Sequence, residues 1–193
     1  YISAMRENSG LRFFFHVIRN MHPQFRKKLI SNYLVNVNFY GQMKGDLTRR
    51  RYGFLPPYTI LISPTMRCNL KCKGCYASEY PRSSDMDYET ASRIVREGKE
   101  LGVYFYTLLG GEPLLWEDIF RLAEEHSDAY FQMFTNSLLL LDEGKLDKFK
   151  KLGNIVPMIS VEGFKELTDL RRGPGVFEKV ERVMDILREE RIP

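Results

Sequence analysis

The chain has 193 residues, of which 44% are hydrophobic and 28% are charged, and its formal net charge at pH 7 is +4. This composition is typical of a soluble globular domain, and no apolar run reaches the roughly 18–20 residues that cross a bilayer. The charge is uneven, because residues 1–57 carry ten Lys or Arg but only two acids, a net charge of +8. The sequence therefore predicts a basic N-terminal extension over residues 1–57 and a separate domain over residues 58–193.

The periodicity of the N-terminal extension predicts two helices. Residues 11–37 have a helical pattern with a break at Pro23, a residue that suits the first turn of a second helix. In this second helix one apolar stripe repeats every four residues, at Phe25, Leu29, Tyr33 and Val37. The stretch RRRYGFLPP, residues 49–57, predicts a linker to the following domain.

Four strand–helix repeats follow the linker. Apolar and β-branched segments predict strands over 58–63, 103–109, 130–134 and 154–161. Amphipathic segments predict helices after Asp87, over 117–126, over 142–152 and from Val176 onward. This alternation predicts an α/β fold with a parallel sheet and right-handed crossovers. Pro157 within the fourth strand fits a central position poorly.

All three cysteines lie in the loop after the first predicted strand, as Cys68, Cys72 and Cys75. A disulfide framework would use an even number of cysteines. A structural zinc site would use four protein ligands, but this loop has three cysteines and no histidine lies in or beside it. Three thiolates on a cubane iron–sulfur cluster leave one iron without a protein ligand. The cysteine loop therefore predicts a ligand-binding site, and its grouped thiols favour a reducing, cytoplasmic setting.

Three more polar motifs follow the ends of the other predicted strands. They are GGEP at 110–113, TNS at 135–137 and the EG of SVEG at 160–163. Parallel strands present their carboxyl ends at one rim, where the loops of sheets and barrels bind ligands. We therefore expect all four motifs to lie close together.

With its C-x3-C-x2-C loop and its GGEP motif in this order, the chain from Tyr58 to Arg191 resembles the radical S-adenosylmethionine (SAM) superfamily. The resemblance implies that Cys68, Cys72 and Cys75 bind a [4Fe–4S] cluster whose fourth iron is chelated by SAM. It also implies reductive cleavage of SAM to a 5′-deoxyadenosyl radical that abstracts hydrogen from a substrate. The family barrel has six βα units, so we expect a partial barrel of about four units, truncated at the C-terminus.

The resemblance implies which residues contact SAM. The glycine-rich loop that meets the SAM amino group corresponds to Gly110, Gly111, Glu112 and Pro113. The segment that contacts ribose and carboxylate corresponds to Ser160 and Glu162. A basic residue twelve positions after that serine corresponds to Arg172, whose guanidinium suits a carboxylate.

Two further residues are weaker candidates for SAM contacts. Asn136 follows the third strand and is a candidate for a sugar or substrate contact. Tyr76 is a candidate for the adenine contact, because Gly74 stands where the family often has an aromatic residue.

Several alternatives remain open. The cysteine loop is also compatible with a non-catalytic zinc- or cluster-binding module, or with an inactive relic of the fold. An active enzyme would need an electron donor such as a flavodoxin or ferredoxin, and a substrate that the sequence does not identify, with a lipid and a peptide as candidates. Three hypotheses apply to the basic extension. In the first, it packs on the barrel with its aromatic residues inward. In the second, it lies on the surface of an anionic membrane, and in the third, it binds nucleic acid.

Overall fold

The computed structural model describes residues 9–81 and 85–193, apart from the side chains of residues 9, 11, 13 and 14. The first eight residues of the predicted extension therefore lie outside the described residues. The strands are β1 (Ile60–Ile62), β2 (Phe105–Leu108), β3 (Tyr130–Thr135) and β4 (Ile155–Ile159). The helices are α1 (Ser9–Asn20), α2 (Pro23–Lys28), α3 (Gln42–Tyr52), α4 (Tyr88–Leu101), α5 (Ile119–Glu125), α6 (Glu143–Leu152), α7 (Lys165–Arg172) and α8 (Val176–Glu189).

The four strands form one parallel sheet in the order β1-β2-β3-β4. The sheet is not closed, so the predicted partial parallel barrel with four βα units is confirmed. Pro157 pairs in register with Met133 on β3, and β4 is an edge strand of the described sheet. The missing N–H of Pro157 is tolerated there because the outer side of β4 needs no ladder bond.

The hydrophobic core lies between the sheet and its helices. Tyr106 of β2 and Phe131 of β3 are fully buried and stack as tilted rings with centroids 5.5 Å apart. The predicted Asp87 cap of α4 is present, since its carboxylate accepts a 2.8 Å hydrogen bond from the Thr90 N–H. The predicted apolar face of α4 is buried on the core through Val95 and its neighbours. Residues 165–172 form a helix, α7, that the periodicity did not indicate.

The N-terminal extension forms a longer helix than predicted. Helix α2, a π-helical segment over Leu29–Gly41 and helix α3 join into one continuous rod, residues 23–52, with helical backbone angles at both junctions. The π-helical turn is wider than an α-helical turn, so a repeat of four residues stays on one face. The predicted linker over 49–57 is therefore wrong in its first part, because α3 continues until Gly53.

The inner face of the rod packs against the amino ends of the strands. Phe25 is buried, and the Tyr33 ring contacts Tyr130 with centroids 5.3 Å apart. The Asn32 amide donates 2.8 Å hydrogen bonds to two carbonyl oxygens just before β3, and the Lys44 ammonium donates one of 2.7 Å to the Lys99 carbonyl before β2. The expectation that aromatic residues of the extension face the barrel is met at these positions.

A search for membrane-spanning helices over the described residues finds none with the length and apolarity needed to cross a bilayer.

Candidate cofactor-binding site

The loops that follow the four strands surround one cavity of about 320 Å³ at the carboxyl end of the sheet. All four motifs singled out in the sequence contribute to its wall, as expected for the rim of a parallel sheet. The lining consists of Cys68, Cys72, Gly74, Cys75, Tyr76, Leu109, Gly110, Gly111, Phe134, Thr135, Asn136, Ser160, Arg171 and Arg172.

The cysteine loop is anchored at its start by an ion pair. The Arg67 guanidinium pairs with the Asp85 carboxylate, and the same carboxylate accepts a 2.5 Å hydrogen bond from the Thr65 hydroxyl. This pairing holds the pKa of Asp85 below its ordinary value against the opposing effect of burial. The charged pair therefore fixes the path of the chain just before Cys68.

The two glycines of GGEP allow this loop to dock on the cysteine loop. A Cβ at Gly110 would lie 2.2 Å from the Thr65 carbonyl oxygen, and a Cβ at Gly111 would lie 2.2 Å from the Arg67 carbonyl oxygen. The Gly111 N–H donates a 2.9 Å bond to Thr65, and the Glu112 N–H donates a 2.7 Å bond to Arg67. Any side chain at either glycine would push the two loops apart.

The three cysteine thiols are half-buried and all line the cavity. Cys68 Sγ accepts a hydrogen bond from the Leu70 N–H at 3.4 Å and one from Asn136 Nδ2 at 3.7 Å. Burial raises the pKa of the Cys68 thiol in spite of these donors. The same Asn136 amide donates a 2.7 Å bond to Asn69 Oδ1, so Asn136 contacts the cysteine loop directly.

Glu112 has a different environment from the one predicted. Its side chain is 0% exposed and does not line the cavity. Its carboxylate accepts hydrogen bonds from Thr135 Oγ1 at 2.7 Å, from the Asn136 N–H at 2.8 Å and from the Leu114 N–H at 3.1 Å. Burial raises the pKa of Glu112, although these three donors oppose the shift. Pro113, also buried, opens the short turn that follows. The carboxylate therefore links the loop after β2 to the end of β3 from behind the cavity wall.

Glu162 lies between two arginines at the other side of the cavity. Its carboxylate is 2.7 Å from Arg172 Nη2 and 2.9 Å from Arg171 Nη1, and the pKa of Glu162 is lowered, mainly by Arg172. Arg172 is largely buried, and its Nε–H has no hydrogen-bond partner among the described residues. Ser160 lies on the cavity wall, and its N–H bonds to the Thr135 carbonyl at 3.0 Å.

Sequence reasoning placed too little weight on Arg171 and missed Phe134. The Arg171 Nε–H donates a 3.3 Å bond to the Lys73 carbonyl, and the Lys73 N–H donates a 2.8 Å bond back to the Arg171 carbonyl. Arg171 thus ties the end of α7 to the cysteine loop.

Phe134 lies at an exposed position of β3, and a large apolar side chain there is a signal that could have identified it. Tyr76 also lines the cavity, and its hydroxyl is 3.2 Å from the backbone oxygen and nitrogen of Gly110.

The residues of this cavity fit a thiolate-bound cluster with an anionic ligand beside it. Around a single zinc ion, sulfur ligands lie about 2.3 Å from the metal. In the described part of the chain, no three His, Cys, Asp or Glu side chains converge closely enough to hold a metal ion in this way. The three thiols instead line one shared cavity. Arg172 lines the same cavity, and its guanidinium suits a carboxylate ligand.

Asp169, in the TDLRRG segment, is expected to make stability depend on pH. Its carboxylate accepts N–H bonds from Phe177 at 2.9 Å and Gly175 at 3.2 Å and pairs with Lys165, and these contacts lower its pKa to about 2. A lowered pKa stabilises the fold above the ordinary value of 3.8, and this contribution is lost as pH falls through about 2.

We therefore expect Asp169→Asn to unfold at lower urea concentration than the unchanged protein at neutral pH. The difference should shrink on acidification from pH 3.8 toward pH 2. Asp185→Asn, at an exposed acid of α8, is the control and should leave the midpoint almost unchanged. A difference that stays constant over this pH range would contradict the assignment.

Comparison with known proteins adds family and fold information to this geometry. A family model described as the radical SAM superfamily matches residues 62–193. An uncharacterized protein of Archaeoglobus fulgidus is 33% identical over a region covering 76% of this chain and 37% of that protein. A GTP 3′,8-cyclase of Clostridium botulinum is 31% identical over 65% of this chain and 43% of its own length. The chain thus spans about two fifths of the length of these curated relatives.

A solved structure with a similar fold is SuiB of Streptococcus suis bound to S-adenosylmethionine. The TM-score is 0.65 at 23% identity, over 79% of this chain and 36% of SuiB. SuiB has also been solved bound to its precursor peptide SuiA. At this level of identity the likeness shows the fold.

Proposed function

Because this chain belongs to the radical SAM superfamily, whose model matches residues 62–193, we propose that its cavity holds a [4Fe–4S] cluster and SAM. The family binds both groups, and its curated members include enzymes. When bound, the cluster and SAM supply a 5′-deoxyadenosyl radical that abstracts hydrogen from a substrate. The remaining proposals concern what the residues of this chain do around these groups.

The three thiolates of Cys68, Cys72 and Cys75 hold the cluster in this proposal. The observation that carries it is that these three thiols and the Arg172 side chain line one cavity. A fourth protein ligand is not needed when SAM completes the cluster. The donor set favours a cluster over the zinc alternative, because three cysteines leave a structural zinc site one protein ligand short.

Arg172 binds the SAM carboxylate and Ser160 contacts the ribose in this proposal. Arg172 is held in place by Glu162, so its guanidinium is oriented before any ligand arrives. The backbone around Gly110 and Gly111 faces the cavity and is available to the SAM amino group. Tyr76 lines the cavity and is exposed, so its ring is available to adenine. Asn136 is available to a sugar or substrate group while it supports Cys68.

The partners of the whole protein are also proposals. An electron donor such as a flavodoxin or ferredoxin supplies the electron that SAM cleavage consumes. A substrate, lipid or peptide, reaches the exposed side of the cavity. Residues 1–57 are proposed to make peripheral contact with a membrane.

The proposal is tested by anaerobic reconstitution of the chain with iron and sulfide, followed by addition of SAM and a strong reductant. We expect about four iron atoms per chain and formation of 5′-deoxyadenosine, quantified by mass spectrometry. Stoichiometric zinc in place of iron would overturn the proposal. A cluster that forms without SAM cleavage, in this chain and in a longer one, would identify an inactive relic.

The two neighbouring arginines are expected to differ in their effect on SAM binding. Arg172→Ala removes the donor assigned to the carboxylate, so we expect the Kd for SAM to rise about 30-fold, the loss of a charged hydrogen bond. Arg171→Ala is the matched control and should change the Kd less than about threefold, since its guanidinium bonds to Lys73 and Glu162 instead. Equilibrium dialysis with labelled SAM measures both values. A larger effect of Arg171→Ala would reverse the assignment.

A further inference from the structure

We propose that the outer face of the helical rod binds the surface of an anionic lipid membrane. This outer face consists of the exposed apolar side chains of the rod, Ile30, Leu34, Val35, Phe39, Met43 and Leu47. It lies outside the cofactor cavity, so the inference does not depend on the proposed radical chemistry.

The outer face is apolar along the length of the rod. Its side chains are between 38% and 72% exposed, and Phe39 is the most exposed of them. All but Val35 recur every four or five residues, on the side opposite the buried Asn32, Val37 and Thr48 that pack toward the barrel. A helix that is apolar on both sides requires an apolar neighbour on both sides, and the barrel provides one of them.

Basic residues lie at both ends of this apolar face. Arg26 and Lys27 are near its start, and Arg49, Arg50 and Arg51 are in the last turn of α3. Among the described residues, no Lys or Arg of residues 9–57 takes part in an ion pair, and the acid in that range is Asp46. The positive charge is therefore available to an external anionic surface.

This combination of apolar and basic residues favours a membrane over two other partners, a second copy of the chain and a nucleic acid. A second copy of the chain in a two-fold dimer would place the same basic residues near one another, where they repel. A nucleic acid would use the positive charges but would leave Phe39 and Leu47 exposed to water. An anionic bilayer satisfies both groups, because apolar side chains enter the headgroup region while basic side chains reach the phosphates.

Aromatic residues near the end of the rod support the same occupant. Tyr52 and Phe54 are exposed and lie beside the three arginines, with the Arg51 guanidinium 5.1 Å from the Tyr52 ring centre. Tyrosine is enriched at membrane–water interfaces because its ring is apolar and its hydroxyl is polar.

The rod also determines which way the cavity faces on a membrane. The rod packs on the amino ends of the strands, whereas the cavity lies at their carboxyl ends. Docking through the outer face therefore leaves the cavity open toward the aqueous side. The substrate then arrives from water rather than from within the bilayer, which favours the peptide alternative over a bilayer lipid.

The proposal is tested by sedimentation of the chain with vesicles of equal parts phosphatidylcholine and phosphatidylglycerol, and with vesicles of phosphatidylcholine alone. We expect binding to the anionic vesicles that weakens with added salt. The double variant Arg50→Gln/Arg51→Gln should lower the partition coefficient about 30-fold, from about 1 kcal/mol per charge. Phe39→Ser/Leu47→Ser should lower it at least tenfold.

Matched control variants carry the same changes on other helices. Arg93→Gln/Arg96→Gln on α4 and Leu167→Ser/Leu170→Ser on α7 alter exposed side chains away from the rod and should not change binding. No binding to either vesicle, equal binding to both, or equal losses in the controls would overturn the proposal. A dimer in sedimentation equilibrium that Phe39→Ser/Leu47→Ser dissociates would assign the face to a second copy instead.

Discussion

Replacing Cys68, Cys72 or Cys75 by alanine is expected to abolish both cluster assembly and SAM cleavage in the reconstituted protein. Each variant leaves two thiolates for a cluster whose fourth iron already has no protein ligand. We expect bound iron and acid-labile sulfide to fall below about a tenth of the unchanged protein's content. Colorimetric iron and sulfide assays measure this loss, and mass spectrometry measures 5′-deoxyadenosine in the same samples.

Asn136→Ala is expected to weaken cluster binding, but less than the loss of a cysteine does. This variant removes the amide that contacts Cys68 Sγ at 3.7 Å and Asn69 Oδ1 at 2.7 Å, so a thiol proposed as a cluster ligand loses a supporting contact. Loss of such a supporting contact lowers affinity about 10- to 100-fold, so we expect faster iron release to a chelator. Lys71→Ala, in the same loop but exposed, is the control. Full iron content in any cysteine variant would show that its thiol is not a ligand.

The convergence of the motifs could be predicted from sequence because it follows from topology. Once four strands alternate with helices, the segments after each strand must meet at one rim, and Cys68, Gly110, Asn136 and Ser160 do so. This conclusion requires neither side-chain geometry nor exact strand ends. Three of the observed strands are shorter than predicted and β3 is one residue longer, yet the rim is the same.

The orientation of individual side chains could not be predicted in this way. GGEP suggests a carboxylate that faces a ligand, but Glu112 turns into the wall, where it meets the Leu114 N–H of its own loop and two donors at the end of β3. Thr135 and Asn136 lie more than twenty residues from Glu112 in the chain, so no local pattern reveals these two donors. Arg171 and Arg172 are adjacent in sequence, and tertiary contacts alone distinguish the one that bonds to Lys73 from the one with an unpartnered N–H.

The length of the helical rod also could not be predicted from local sequence patterns. RRRYGFLPP contains a glycine and two prolines, which indicate a linker, but its first residues complete α3. That turn is stabilised by tertiary contacts, since Thr48 is buried and its hydroxyl donates a 3.2 Å bond to the Leu101 carbonyl. Packing on the barrel therefore overrides the local preference for a loop.

Glu112→Ala is expected to lower the free energy of unfolding by about 4 kcal/mol, because it leaves three buried donors without an acceptor. These donors are the Thr135 hydroxyl and the N–H groups of Asn136 and Leu114. Glu112→Gln keeps the shape and one acceptor oxygen but turns an amide toward the Asn136 N–H. We expect it to lose about 2 kcal/mol. Urea denaturation of the cluster-free chain, followed by circular dichroism, measures both values without any cofactor.

Glu117→Ala is the control for these variants, because its side chain is exposed and its loss should change stability by less than about 0.5 kcal/mol. The same measurements distinguish the two roles of Glu112. If its carboxylate supports the wall, destabilisation occurs without SAM and precedes any loss of SAM binding. If Glu112→Gln folds with unchanged stability and yet binds SAM at least tenfold more weakly, the carboxylate contacts the SAM amino group. That result would contradict the buried role and restore the contact implied by the family resemblance.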